Sequence, residues 1–133
     1  AEKGNGAYLN NSRIRVSKKN KIKDALIVTG GPKGSSKIKD KIFSEYINVS
    51  NNVSNVRKFG SAALDMSYVA CGRFDGYWQR ELNYWDIAAG IIILKEAGGF
   101  VDFFEENNNT PLKKNILASN SFIHEELSEL INK

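Results

Sequence analysis

Residues 85–99 read WDIAAGIIILKEAGG, and this stretch decides how the rest of the chain is read. Between Ile87 and Ala97 only Lys95 and Glu96 are charged, so apolar or small side chains fall on most faces of a 3.6-residue period. That pattern predicts a helix enclosed by neighbours rather than laid on a surface. Gly98-Gly99 ends it, because glycine takes the left-handed conformation past a helix C-terminus without a steric penalty. The predicted helix is about twelve residues, or ~18 Å at 1.5 Å per residue. Asp86 stands at its start, where free backbone N–H groups stabilise an ionised carboxylate by ~0.3–1 kcal/mol. Position alone leaves two readings of Asp86 open: a helix-start acid with no further role, or a charged ligand.

Outward from this helix, strands alternate with helices. Upstream, residues 75–79 read as a strand with aromatics on both faces, and Trp78 and Trp85 are expected to pack rather than stack on a ligand. Ser61 is placed to cap a helix running to Gly72, and Gly60-Ser61 is equally suited to hold an anion, since both roles use the same free N–H groups. Residues 56–59 are a short edge and 48–55 a polar loop. Ile38, Ile42, Phe43, Tyr46 and Ile47 carry a helical period, and residues 25–29 form a short buried strand. Between these last two, residues 30–37 are rich in glycine, but Gly34 is followed by Ser35 where a phosphate loop needs Lys. A strand-to-helix turn is the expectation there. Residues 4–16 read as a hairpin with a polar turn at 10–12. Downstream, strands are expected at 99–104 and 115–119, then a helix capped by Ser121 with His124, the only histidine, on the surface. The fold class is therefore α/β, a sheet covered by helices.

A chain of 133 residues with 41% hydrophobic and 26% charged content is an ordinary domain or part of one. Its net charge is +4, and basic residues are spread through the stretch from Arg13 to Lys41 with acids among them, so a nucleic-acid partner is not expected. No run of eighteen apolar residues predicts a membrane helix. Cys71, the single cysteine, is expected to be a small core residue, in keeping with a reducing, cytoplasmic setting. The chain begins at Ala1 and its only methionine is Met66, so a processed chain or the downstream part of a longer one is expected.

The stretch 85–99 resembles the C-terminal signature of the inositol monophosphatase family, in which a Trp-Asp pair opens a helix. A second block, residues 60–66 (GSAALDM), is similar to the glycine-initiated segment that closes over substrate in that family, and residues 2–17 look like its hairpin. The resemblance implies an enzyme, a phosphoric monoester hydrolase acting on inositol or related sugar phosphates with Mg2+ as cofactor. It implies that Asp86 is a metal ligand and that Gly60, Ser61 and Ala62 contact substrate. It also places a substrate-binding Glu seven residues before the metal Asp, where this chain has Gln79. Gln keeps an acceptor, adds two donors and removes a charge. Glu81 is expected to substitute in part if it shares the strand face.

The family's Gly-Glu-Glu-like and Asp-Pro-Ile-Asp-Gly-Thr segments, which carry the other metal ligands, have no counterpart here. The resemblance therefore implies a C-terminal half, inactive without an N-terminal half and a homodimer when complete. Residues 1–18 would be a hairpin remnant of the preceding antiparallel-sheet domain, and 19–133 the C-terminal α/β domain of a layered α/β/α/β/α sandwich. The alternative is a non-catalytic, phosphatase-like protein that binds RNA polymerase or RNA.

Overall fold

The computed structural model describes residues 1–31, 36–106, 109 and 111–132. At its start β1 (Tyr8–Leu9) pairs antiparallel with β2 (Ser12–Arg13). Asn10 and Asn11 between them have φ of 50° and 67°, the left-handed pair that suits the twist of a two-residue hairpin loop and that Asn tolerates. The expected turn is there, with Ser12 already in the strand.

The hairpin is fastened to the helix Tyr84–Glu96. That helix presents Glu96, whose Oε1 accepts hydrogen bonds from Gly4 N and Gly6 N at 3.0 and 2.9 Å. Val16 N donates to Ala97 O at 3.0 Å, and Ala7, Ile14 and Val16 pack into the adjoining core.

Five strands form the main sheet: β3 (Leu26–Thr29), β4 (Asn55–Arg57), β5 (Gly76–Asn83), β6 (Phe100–Phe103) and β7 (Lys113–Ser119). Their order is β4-β3-β5-β7-β6, with β3 parallel to β4 and β5, and β7 antiparallel to β5 and β6. The helices are α1 (Ser36–Ser50), α2 (Ala62–Ala70), α3 (Tyr84–Glu96) and α4 (His124–Ile131).

Alternation along β5 sorts them into layers. Tyr77 and Leu82 join Val28 and Ile116 against Met66 and Val69 of α2 and Ile87 and Leu94 of α3. Trp78 joins Ile27 and Leu117 against Val49 of α1 and Leu127 and Leu130 of α4. The result is helices on both faces of a mixed sheet, the expected α/β class. The α2–α3 contact is close: a Cβ at Gly90 would lie 2.7 Å from Met66 Sδ, so only glycine fits there without displacement.

On the α1 side, Arg80 is buried and bound at both ends. Its Nε and Nη2 donate to Glu45 of α1 at 2.6–3.0 Å, and Nη1 lies 2.7 Å from Glu105 Oε2. Phe104 lies under the guanidinium, 4.8 Å from ring centroid to Cζ.

Several expectations are corrected. Helix α1 runs on to Ser50 through the expected loop, because Val49 is buried and Asn48 Nδ2 donates to Leu130 O at 2.6 Å. Ser121 does not cap the last helix: α4 starts after Ile123 with no side-chain cap bond, and the turn before it is held by Asn120, whose Oδ1 accepts from Phe122 N and Ile123 N, both at 3.0 Å. Helix α3 is enclosed only along Ile87, Gly90 and Leu94, and its first turn faces outward. Residues 32–35 of the glycine-rich turn, and 107, 108 and 110 of the acidic one, lie outside the described residues. No described helix is long and apolar enough to cross a membrane.

Candidate functional site

Three chain segments meet toward the C-terminal ends of the neighbouring inner strands β3 and β5. β5 delivers Gln79, α2 begins at Ala62 behind its cap, and α3 begins at Tyr84 directly after β5. With Gly30 and Gly31, which follow β3, they enclose a cleft of about 430 Å³ lined by Gly60, Ser61, Ala62, Gln79, Trp85 and Asp86, among others. That volume lies within the range of small-molecule sites. All five site residues expected from the sequence therefore border a single cleft.

At the α2 end, Gly60 has φ of +83°, a conformation that a side chain disfavours, and Ser61 Oγ accepts from Leu64 N at 3.3 Å. The first N–H groups of α2 have no acceptor within the helix, so this end suits an anion. Asp86 is the third residue of α3 and follows an Asn83 cap that makes no side-chain cap bond. Among the described residues the Asp86 carboxylate has no hydrogen bond or ion pair, and it is exposed to the cleft. A capping carboxylate would hold a first-turn N–H; this one holds none and is free for a ligand.

Gln79 is held on two sides. Tyr77, two residues earlier and on the same strand face, donates its phenol O–H to Gln79 Oε1 at 2.5 Å. A Cβ at Gly30 would overlap the Gln79 amide, so the amide lies flat against that glycine. The phenol's pKa is pushed well above its ordinary value, first by burial and then by the negative charges of Asp65 and Asp86, which keeps its proton in place.

Beneath the cleft, Asp65 of α2 is fully buried and neither carboxylate oxygen has a hydrogen-bond partner among the described residues. Burial raises its pKa to about 6. Neither Tyr77 nor Asp65 was identified from the sequence as part of the site. The period-2 placement of Tyr77 beside Gln79 was the available signal for the first.

Other expectations fail here. Glu81 does not join Gln79: a bulge between Gln79 and Leu82 puts Glu81 at φ 60°, held by Asn115 Oδ1 accepting from its N–H at 2.9 Å. Its side chain borders a separate cavity of about 120 Å³ with Arg80 and Glu105. Trp85 is 67% exposed at the cleft rather than packed, whereas Trp78 is buried as expected. Cys71 is half-buried at the end of α2, outside the core.

His124 is not on the surface. It is 8% exposed, with Nδ1 2.6 Å from Ser119 Oγ and Nε2 2.6 Å from Asp102 Oδ2. This Ser-His-Asp line is structural, since Ser119 is fully buried and cannot meet a substrate.

Among the described residues no group of three or more His, Cys, Asp and Glu is placed to hold a metal ion. Asp86 is a hard, charged oxygen donor of the kind magnesium takes. The residues present thus suit one position of a magnesium shell and not the whole of it.

The model of the inositol monophosphatase family matches residues 1–133. An inositol-1-monophosphatase of Caulobacter vibrioides is 39% identical over 130 residues, 96% of this chain and 51% of that protein. A protein of Haemophilus influenzae named Nus factor SuhB is 38% identical over 133 residues, 100% of this chain and 49% of its own length. The crystal structure of the extragenic suppressor protein suhB from Bartonella henselae superposes with a TM-score of 0.90 at 44% identity, covering 100% of this chain and 51% of that one. The chain spans about half the length of the relatives that it matches.

Proposed function

The chain belongs to the inositol monophosphatase family, and from that premise we propose that it is the C-terminal half of a Mg2+-dependent phosphomonoesterase acting on an inositol or related sugar phosphate. The observation that carries the reading is the free carboxylate of Asp86 in the same cleft as Gly60, Ser61, Ala62 and Gln79. In this reading Asp86 is one metal ligand, the start of α2 takes the substrate's phosphate side, and Gln79 meets the alcohol portion. When bound, magnesium would neutralise phosphate oxygens and lower the pKa of the attacking water. The chain's own part is to orient the ester between α2 and Gln79 and to hold a negative charge at the start of α3.

One carboxylate does not complete such a shell, so the remaining ligands come from an N-terminal half. Residues 1–18 are then the end of the preceding antiparallel-sheet domain and 19–133 the C-terminal domain, in a cytoplasmic homodimer. The exposed Tyr84 and Trp85 on α3 favour a covered rather than a solvated surface in the complete protein. The relative named Nus factor SuhB supports a second reading, a non-catalytic, phosphatase-like protein that binds RNA polymerase or RNA.

The test is to assay this chain, alone and joined to its upstream coding sequence, with Mg2+ and a panel of sugar phosphates. Turnover is expected only from the joined protein. Turnover by this chain alone would sink the half-site reading, and none from either would favour the binding protein.

A further inference from the structure

Resting on the phosphatase reading, we propose that Tyr77 is a positioning residue which locks the Gln79 amide with its NH2 group toward the cleft, making the enzyme selective for a phosphate monoester that carries a second, acceptor-only group. A carboxylate or a second phosphate has that character; a polyol offering only hydroxyls does not.

The argument begins with the amide's polarity. Gln carries an acceptor oxygen and a donor nitrogen, and whichever end Tyr77 occupies leaves the other for the ligand. Tyr77 has one proton to give, and its retained phenol O–H spends it on Oε1 at 2.5 Å. The opposite orientation would turn the amide oxygen, the negative end of the dipole, toward a cleft that already holds the Asp86 carboxylate. Orienting the NH2 outward places the positive end there instead, so the electrostatics and the hydrogen bond agree. Gly30 fixes the plane of the amide, which lies against its Cα with no room for a Cβ, and leaves the choice of end to Tyr77.

The consequence is a reversal of sign at this position. A carboxylate here would accept hydroxyl hydrogens and repel an anion. The pinned amide donates two hydrogens, takes an acceptor-only oxygen directly, and is neutral toward its charge. The bulge reinforces this by removing Glu81, the nearest carboxylate in sequence, to another cavity.

The experiment compares kcat/KM for fructose 1,6-bisphosphate and inositol 1-phosphate in the complete enzyme, as wild type, Gln79→Glu and Tyr77→Phe. The wild type is expected to favour the bisphosphate. Gln79→Glu should move the ratio toward inositol 1-phosphate by at least about tenfold, the scale of one charged against neutral hydrogen bond. Tyr77→Phe frees the amide to turn and should narrow the ratio several-fold, whereas a merely structural role would lower both rates equally. An unchanged ratio in Gln79→Glu overturns the proposal. If the wild type turns over neither compound, the phosphatase reading has failed, and the polarity is read by binding in the same protein labelled with 15N. Shifts of the Gln79 side-chain NH2 signals with the bisphosphate and not with inositol 1-phosphate would support the inference; no shift with either would overturn it.

Discussion

Replacing Asp86 by Asn separates a ligand from a helix-start acid, and the structure sets the two magnitudes apart. Asn keeps the shape and an oxygen but not the charge. As the third residue of α3, exposed and without a hydrogen bond, Asp86 gives the helix only a dipole interaction, worth ~0.3–1 kcal/mol and screened at an exposed position. The folding cost of Asp86→Asn is therefore expected below about 1 kcal/mol, a shift of a few degrees in Tm. As a metal ligand the same carboxylate contributes to transition-state stabilisation supplied through the ion, which amounts to several kcal/mol. The complete enzyme is expected to lose at least about two orders of magnitude in kcat/KM, or ~2.7 kcal/mol, and to need more Mg2+ for half-maximal rate. The assay is kcat/KM against Mg2+ concentration beside a thermal melt of the same preparation. Near-normal activity at both limiting and saturating Mg2+ would refute the reasoning and return Asp86 to the helix alone.

Two further outcomes follow from buried charge. The pKa of Asp65 is raised by burial from 3.8 to about 6, so its stabilising protonated form is fully present below about pH 4 and is lost as pH rises through about 6. Asp65→Asn should thus match the wild type near pH 4 and gain on it toward pH 7 in urea midpoints; parallel curves would show that the carboxylate is not desolvated. Removing one partner of the buried Arg80–Glu45 pair leaves the other charge uncompensated, so Arg80→Met should cost ~3–5 kcal/mol, with the Arg80→Met, Glu45→Leu double variant recovering much of it. A double variant no more stable than the single one in chemical denaturation would place the cost elsewhere.

What the sequence disclosed was what local chemistry fixes. The double glycine ends α3, with Gly98 at φ +89°; Ser61 caps α2; Asn10-Asn11 turn the hairpin. Each depends on neighbours within a few residues. Gly60, Ser61, Ala62 and Asp86 stand in two contiguous blocks and Gln79 is seven residues before Asp86, and their convergence requires only that α2 and α3 begin at the same end of the sheet. What escaped depends on partners far along the chain. His124 is buried because Asp102 and Ser119 receive its ring, and α1 continues because Leu130 offers Asn48 an acceptor. The bulge that diverts Glu81 is held by Asn115, and no alternation pattern marks it. The outward placement of Trp85 escaped because a hydrophobic pattern records that a residue avoids water, not which surface covers it.

The grip of Glu96 on Gly4 and Gly6 dictates an order of assembly. It spans 90 and 92 positions of sequence, and closing a flexible loop of that length costs roughly 4 kcal/mol of chain entropy. Two bonds to an exposed carboxylate are poor compensation in a chain still searching, but once Ser17 is tethered to Asp75 at 2.5 Å only a short tail remains to be gathered in. The sheet and the α2–α3 pair are therefore expected to form first, with Ala7, Ile14 and Val16 completing the core beside them as the opening segment docks. Its backbone hydrogens should exchange with solvent ahead of all those in β5, and anything that draws this segment away can do so without unmaking the sheet below.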